Sequence, residues 1–282
     1  MQPPVQAGGG GGACLGAALV LVAAAPAQAY GPLMHAVVAD RAFAQVVPRQ
    51  PWLAPFRDAF LWGGVAPDLH EASGARHLNH TRTHDPSLLA TLWQAAQDPT
   101  GRAFVLGWAA HLGTDARADV PAPGFPGIAE RDLCLEAALL PGASQHLQTL
   151  AVSAWRHAGG AAGAAVQGVL LGPLGLDGPT YAGWAGLTAA VAGRGPDRYL
   201  VQRARFLRLE PELGRLQGAA ARQRLGDPTA LVAEAAQAAR AAVEQLLGNP
   251  PAQAPSARSG TPPTGRASTD LTVRATLIRP KP

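Results

Sequence analysis

The sequence predicts an all-α protein, and two observations carry that prediction. From Tyr30 onward Ala, Leu, Arg, Gln and Glu dominate, and no alternating Val/Ile/Thr segment of strand length occurs before the C-terminal tail. The balance of 48% hydrophobic, 15% charged and 5% aromatic residues over 282 positions suits a globular chain with one sizeable domain rather than a disordered or fibrous one.

Residues 1–29 read as a signal peptide. A glycine-rich lead precedes an apolar stretch through Leu15, Ala18, Leu19, Val20 and Val22, and Ala27-Gln28-Ala29 supplies the small-x-small pattern that signal peptidase cuts after. Tyr30 would then open a secreted or periplasmic protein. No positive charge precedes the run, which keeps an uncleaved anchor as the alternative, although residues 13–29 are few for a membrane span. This is the only long apolar run, so a multi-pass membrane protein is excluded.

Within the domain, 30–248, helices are expected near 35–47, 87–96, 102–116, 129–140, 144–157, 161–171, 180–192, 197–209, 212–225 and 229–247. Between the first two, residues 48–86 carry Pro48, Pro51, Pro55, Pro67 and Pro86 as breakers and read as a long irregular segment, the kind that tends to be functional. Residues 249–282 shift to Pro, Ser, Thr, Gly and Arg and read as a disordered tail. The alternating run 270–278 within it has no sheet to join.

Charge argues against a nucleic-acid partner. Beyond Pro251 the tail holds five basic residues, Arg258, Arg266, Arg274, Arg279 and Lys281, against Asp270 alone; that difference equals the whole net charge of +4. The body is therefore neutral, with 18 basic and 18 acidic residues, and shows no basic footprint for a polyphosphate. Two cysteines, one of them Cys14 inside the signal, make no disulfide framework and leave Cys134 unpaired.

The strongest signal is a concentration of histidine. Six of the eight histidines, His35, His70, His77, His80, His84 and His111, fall between positions 35 and 111, close to Asp68, Asp85, Asp115 and Asp119. Imidazole and carboxylate are the donors that a borderline cation such as zinc takes where thiolates are absent. On a helix His111 and Asp115 project from one face one turn apart, so both can reach one ion; an exposed His beside an acidic neighbour is the ordinary alternative for such a pair taken alone.

Four segments together resemble the zinc-dependent phospholipases C and their structural relatives, the single-strand-specific zinc nucleases. They are Tyr30-Gly-Pro-Leu-Met-His35, Phe60-Leu-Trp-Gly-Gly-Val-Ala-Pro-Asp68, His77-Leu-Asn-His80-Thr-Arg-Thr-His84-Asp85 and Phe104-Val-Leu-Gly-Trp-Ala-Ala-His111-Leu-Gly-Thr-Asp115. The resemblance covers residues 30–120 and implies a multi-helix domain holding up to three Zn2+ ions. One metal would be bound by Asp68, His84, His111 and Asp115, with His80 able to replace His84 and the choice among His77, His80 and His84 left open. Another would take the amino nitrogen and carbonyl of Tyr30, His35, and Asp115 as a bridge. Asp68 is implied as the catalytic residue, positioning the attacking water while serving as a ligand.

The third position departs from the family pattern, which expects a histidine after the helical Asp and then a helix with His and an acid four apart. Here Asp119, Asp132 and Glu136 stand instead. They would form an all-oxygen site suited to Ca2+ or Mg2+ or binding zinc more weakly, or the site is absent and Asp132 and Glu136 form a solvated face beside Arg131. His146 and His157 fit no ligand position, and the six tryptophans read as helix packing.

The function implied is phosphodiester hydrolysis by an exported enzyme of the phospholipase C kind, acting on a phospholipid or small phosphodiester with some contact at a membrane surface. A nuclease of the same superfamily is one alternative. A non-catalytic helical metal-binding protein with a degenerate site is the other.

Overall fold

The computed structural model describes residues 30–69, 80–118, 125, 127–158, 160–176 and 178–251. All of them belong to a unit that ends at Ala252. Residues 1–29, expected to be a signal peptide, His70, His77, Asp119, the side chain of His80 and residues 252–282 of the expected tail, including the alternating run 270–278, lie outside the described residues. Among those described, every regular element is helical. No described helix is long and apolar enough to cross a membrane.

Helix α1 (Pro32–Val46) opens with proline, whose fixed φ and missing N–H suit a first helical turn, and buries Leu33, Met34, Val38, Ala42 and Phe43. Of the segment expected to be irregular, 48–86, the described part, residues 48–69 and 80–86, is largely helical. It holds 3-10 turns at Val47–Arg49 and Pro51–Phe56, helix α2 (Arg57–Gly63), a further 3-10 turn at Ala66–Leu69 and the single turn α3 (His80–Thr83). Pro48 and Pro51 stand at the starts of turns, where proline initiates rather than breaks. Helix α2 buries Ala59, Phe60, Leu61, Trp62 and Gly63 in succession, so it shows no polar stripe from which a period could be read.

Then follow α4 (Leu88–Ala95), α5 (Pro99–Ala118), α6 (Ile128–Ala158), α7 (Gly160–Leu174), α8 (Gly178–Ala192), α9 (Pro196–Phe206), α10 (Leu213–Leu216), α11 (Ala219–Leu225) and α12 (Pro228–Gly248). Two boundaries differ from expectation. Helix α6 runs for 31 residues through Pro141, where two helices were expected. The single helix expected over 212–225 is a 3-10 turn, Glu210–Glu212, followed by the two short helices α10 and α11.

Helix α5 is the hub, packed against α12, α2, α7, α4 and α1. Two glycines let α2 and α5 touch backbone to backbone. A Cβ on Gly63 would fall 1.9 Å from the Phe104 carbonyl oxygen, and one on Gly107 would fall 1.9 Å from that of Phe60. On the far side of α5, Gly113 gives the alanine-rich α12 the same access, at Ala238, Ala239 and Ala242. Trp62, Trp93, Trp108 and Trp184 are core residues as expected, whereas Trp52 and Trp155 are exposed, Trp155 at 72%. The indole N–H groups of Trp62 and Trp108 donate to the Tyr181 hydroxyl and the Thr83 carbonyl.

Gly63→Ala is expected to cost about 3 kcal/mol, because the atom in the way is backbone on a packed helix and cannot rotate aside; urea unfolding measures it. A second expectation concerns acid. His157 on α6 is buried with neither ring nitrogen hydrogen-bonded, and burial pushes its pKa down to about 4. The unfolded chain takes up this proton below about pH 6.5 and the folded chain does not. The associated stability is therefore complete above about pH 6.5, declines as pH falls, and is lost by about pH 4. His157→Gln should show a smaller drop in unfolding midpoint between about pH 7 and about pH 4.5 than the unmodified chain.

Candidate metal centre

Three stretches of chain converge on one side of α5. His111 and Asp115 project from that helix one turn apart. The Nδ1 of His111 lies 3.0 Å from the Gly64 carbonyl, which can only accept, so Nδ1 carries the proton and a neutral ring turns the Nε2 lone pair inward. This carbonyl is in place because the α2–α5 contact brings it there. Asp68 stands on the 3-10 turn Ala66–Leu69, its amide donating to the Val65 carbonyl at 3.2 Å. His84 follows α3 directly. Trp108, one turn before His111, donates its indole N–H to the Thr83 carbonyl at 3.1 Å, and the Thr83 hydroxyl hydrogen-bonds His84 Nδ1 at 3.0 Å. His35 enters from the first turn of α1 and stacks on His111, ring centroids 3.7 Å apart.

The donor atoms form two sets that share both carboxylates. In the first, His84 Nε2 and His111 Nε2 are 3.0 Å apart. Asp68 Oδ1 lies 3.4 and 3.6 Å from them, and Asp115 Oδ2 lies 3.2 and 3.0 Å from them. In the second, His35 Nε2 faces the other oxygen of each acid, Asp68 Oδ2 at 3.6 Å and Asp115 Oδ1 at 3.3 Å. Donors around a tetrahedral zinc ion with bonds of about 2.0–2.1 Å sit about 3.3 Å from one another. The imidazole–imidazole and imidazole–carboxylate separations of 3.0 to 3.6 Å are close to that value. His35 Nε2, Asp68 Oδ2 and both Asp115 oxygens are buried without a hydrogen bond, which is costly for polar atoms unless a cation meets them. The groupings His35–Asp68–His111 and His84–His111–Asp115 could each hold a metal ion.

Protonation follows the same geometry. Burial disfavours charge on every member, yet the histidines beside Asp68 and Asp115 hold both acids well below the usual carboxylate range. Burial likewise opposes charge on His84, but the Asp115 and Asp68 carboxylates beside it outweigh that and push the pKa up to about 10. His35 is raised in the same manner, against burial, by Asp115 and Asp68. Burial dominates at His111, which is lowered and therefore neutral, consistent with His84 donating to its Nε2.

Of the residues proposed from sequence, the structure brings together His35, Asp68, His84, His111 and Asp115. Tyr30 lies beside them, its buried ring 6.4 Å from that of His35 and under the Arg131 guanidinium. Asp132 and Glu136 are neither a solvated face nor part of this cluster. Asp132 is buried and takes two bonds from Arg131, at 3.2 and 3.0 Å, while burial lifts its pKa to about 7. Glu136, fully buried, accepts from the Leu33 amide and the Tyr199 hydroxyl. His146 pairs with Asp40.

Comparison of the chain with protein-family models, with curated proteins and with solved structures finds no match. Sequence reasoning missed Gly64, Thr83 and Trp108 as supports of the cluster. A main-chain carbonyl carries no side-chain signature, but the Trp108-x-x-His111 spacing on one helix was a usable signal.

His111→Ala and Asp115→Ala are each expected to lower bound metal per chain, measured by elemental analysis after dialysis, because one missing donor leaves the others poorly compensated. His146→Ala and His157→Ala should leave it unchanged.

Proposed function

We propose that the protein is an exported phosphodiester hydrolase of the phospholipase C kind, dependent on divalent metal. One observation carries the reading: Asp68 and Asp115 each offer one oxygen to the His84–His111 side and the other to His35. Two carboxylates shared between two histidine-lined positions suit a pair of close ions, as two-metal phosphoester chemistry needs.

His84, His111, Asp68 Oδ1 and Asp115 Oδ2 would hold one ion. His35, Asp68 Oδ2 and Asp115 Oδ1, with Tyr30 through its amine and carbonyl, would hold the other. Bound there, such ions neutralise phosphoryl charge and make water more acidic. The chain supplies the rest. Gly64 and Thr83 fix the rings of His111 and His84, so no donor has to be reorganised. Asp68, 8% exposed, stands at the junction of both sets and orients the attacking water by accepting its hydrogen bond. The neutral body favours a phospholipid or small phosphodiester over a nucleic acid.

A second reading, a non-catalytic metal-binding protein, draws on the engagement of Asp132 and Glu136 away from the cluster, which leaves fewer donors for a third ion. Zinc content and hydrolysis of a chromogenic phosphodiester separate the two. Two or more ions per chain with hydrolysis support the enzyme; one ion without hydrolysis supports the alternative.

Processing gives a sharper expectation. An α-amine has a pKa of about 8 and yields its proton to a cation at modest cost, whereas a peptide nitrogen is a poor donor. A chain beginning at Tyr30 should exceed one extended by two residues both in metal content and in phosphodiesterase activity. Equal values in both would remove Tyr30 from the site.

A further inference from the structure

Glu136 is distant in sequence from every donor of the cluster and is fully buried on α6. Its Oε1 accepts from the Leu33 backbone N–H at 2.9 Å and from the Tyr199 hydroxyl of α9 at 2.8 Å, and the same hydroxyl accepts from Leu33 at 3.1 Å. Its Oε2 faces Arg203 Nε at 3.7 Å. The first turn of α1 has no side-chain cap of its own, since Gly31 precedes it and offers none. Glu136 takes that place from another helix, set against the N-terminal end where the helix dipole favours a negative charge. Gly31 is what admits it: a Cβ there would meet Oε1 at 2.4 Å. His35, whose amide donates to the Gly31 carbonyl, belongs to this clamped turn.

We propose that Glu136 is a positioning residue for His35: by clamping the first turn of α1 it sets the imidazole on the His111 ring and against Asp68 and Asp115. The proposal rests on the metal-site reading only for its consequence. The clamp itself can be read without metal.

The experiment uses the full protein, stripped of metal and then titrated with Co2+. In Glu136→Ala, hydrogen exchange at the Leu33 amide should rise by tenfold or more, and the His35 ring resonances should leave their stacked position on His111. Affinity for the cobalt ion taken by His35 should fall about 10- to 100-fold, while the ion held by His84 and His111 keeps its absorption spectrum. Glu136→Gln, whose amide oxygen still accepts from Leu33 and Tyr199, should restore all three. If Glu136→Ala does not fold, Tyr199→Phe, which removes one partner of the clamp, should shift exchange and ring resonances in the same direction to a smaller extent. Loss of cobalt in Glu136→Gln with the clamp intact would make Glu136 a ligand and overturn the proposal; so would unchanged Leu33 exchange and His35 resonances in Glu136→Ala or, where that variant does not fold, in Tyr199→Phe. A chain that takes up no cobalt overturns the metal reading, and exchange and ring resonances still decide the clamp.

Discussion

Helices α2 and α5 meet through backbone atoms, and the placement of the cluster follows from that contact. Gly63 and Gly107 remove the two Cβ atoms that would hold the helices apart. With the gap closed, the Gly64 carbonyl reaches His111 Nδ1, and the turn leaving α2 carries Asp68 to the face of α5 that bears His111 and Asp115. The adjoining core of Phe60, Trp62, Phe104 and Trp108 is fully buried, so the contact is rigid on the scale at which a ligand set has to be held.

Around that contact the other donors are held by bonds to backbone. Trp108 grips the chain at Thr83 and so presents His84, while α6 and α9 grip the start of α1 and so present His35. Each histidine thus arrives from a different segment but against the same helix. Placing five ionisable groups together in this way costs desolvation, which the hydrophobic core elsewhere has to offset. A cation that binds only the folded arrangement would return part of that cost as stability.

The parts of this design that were legible from sequence are those in which side-chain identity and spacing carry the information. His111 and Asp115 one turn apart, and histidines close behind Asp68, are visible because helical geometry fixes which faces they share. That His84 joins the cluster was not visible, since it depends on where α3 ends and on a bond from Trp108. Helix α2 was hidden because a seven-residue helix buried on every side has no period. Helix α6 was cut in two because Pro141 reads as a breaker, although a packed helix can absorb one missing hydrogen bond. Asp132 and Glu136 were placed at a metal by resemblance alone; Arg131 was legible as a neighbour, but nothing in sequence marks Tyr199 as the partner of Glu136.

Charge balance links these observations. With neutral imidazoles the cluster of His35, His84, His111, Asp68 and Asp115 carries two negative charges in a buried setting, which is unfavourable. Protons can relieve this: His84, whose pKa is pushed up to about 10, and His35, raised in the same direction, approach the two carboxylates from opposite sides. A proton on each of those rings would bring the cluster to neutrality. Each such proton would stand, electrostatically, where the proposed reading puts a cation. Two divalent cations in place of the two protons would leave the cluster with an excess of two positive charges. An excess of that sign, recessed beneath a partly exposed Asp115, would draw an anionic oxygen ligand rather than a neutral one. On the proposed reading a phosphodiester would bring one negative charge and a hydroxide the other, so neutrality would be available with both bound.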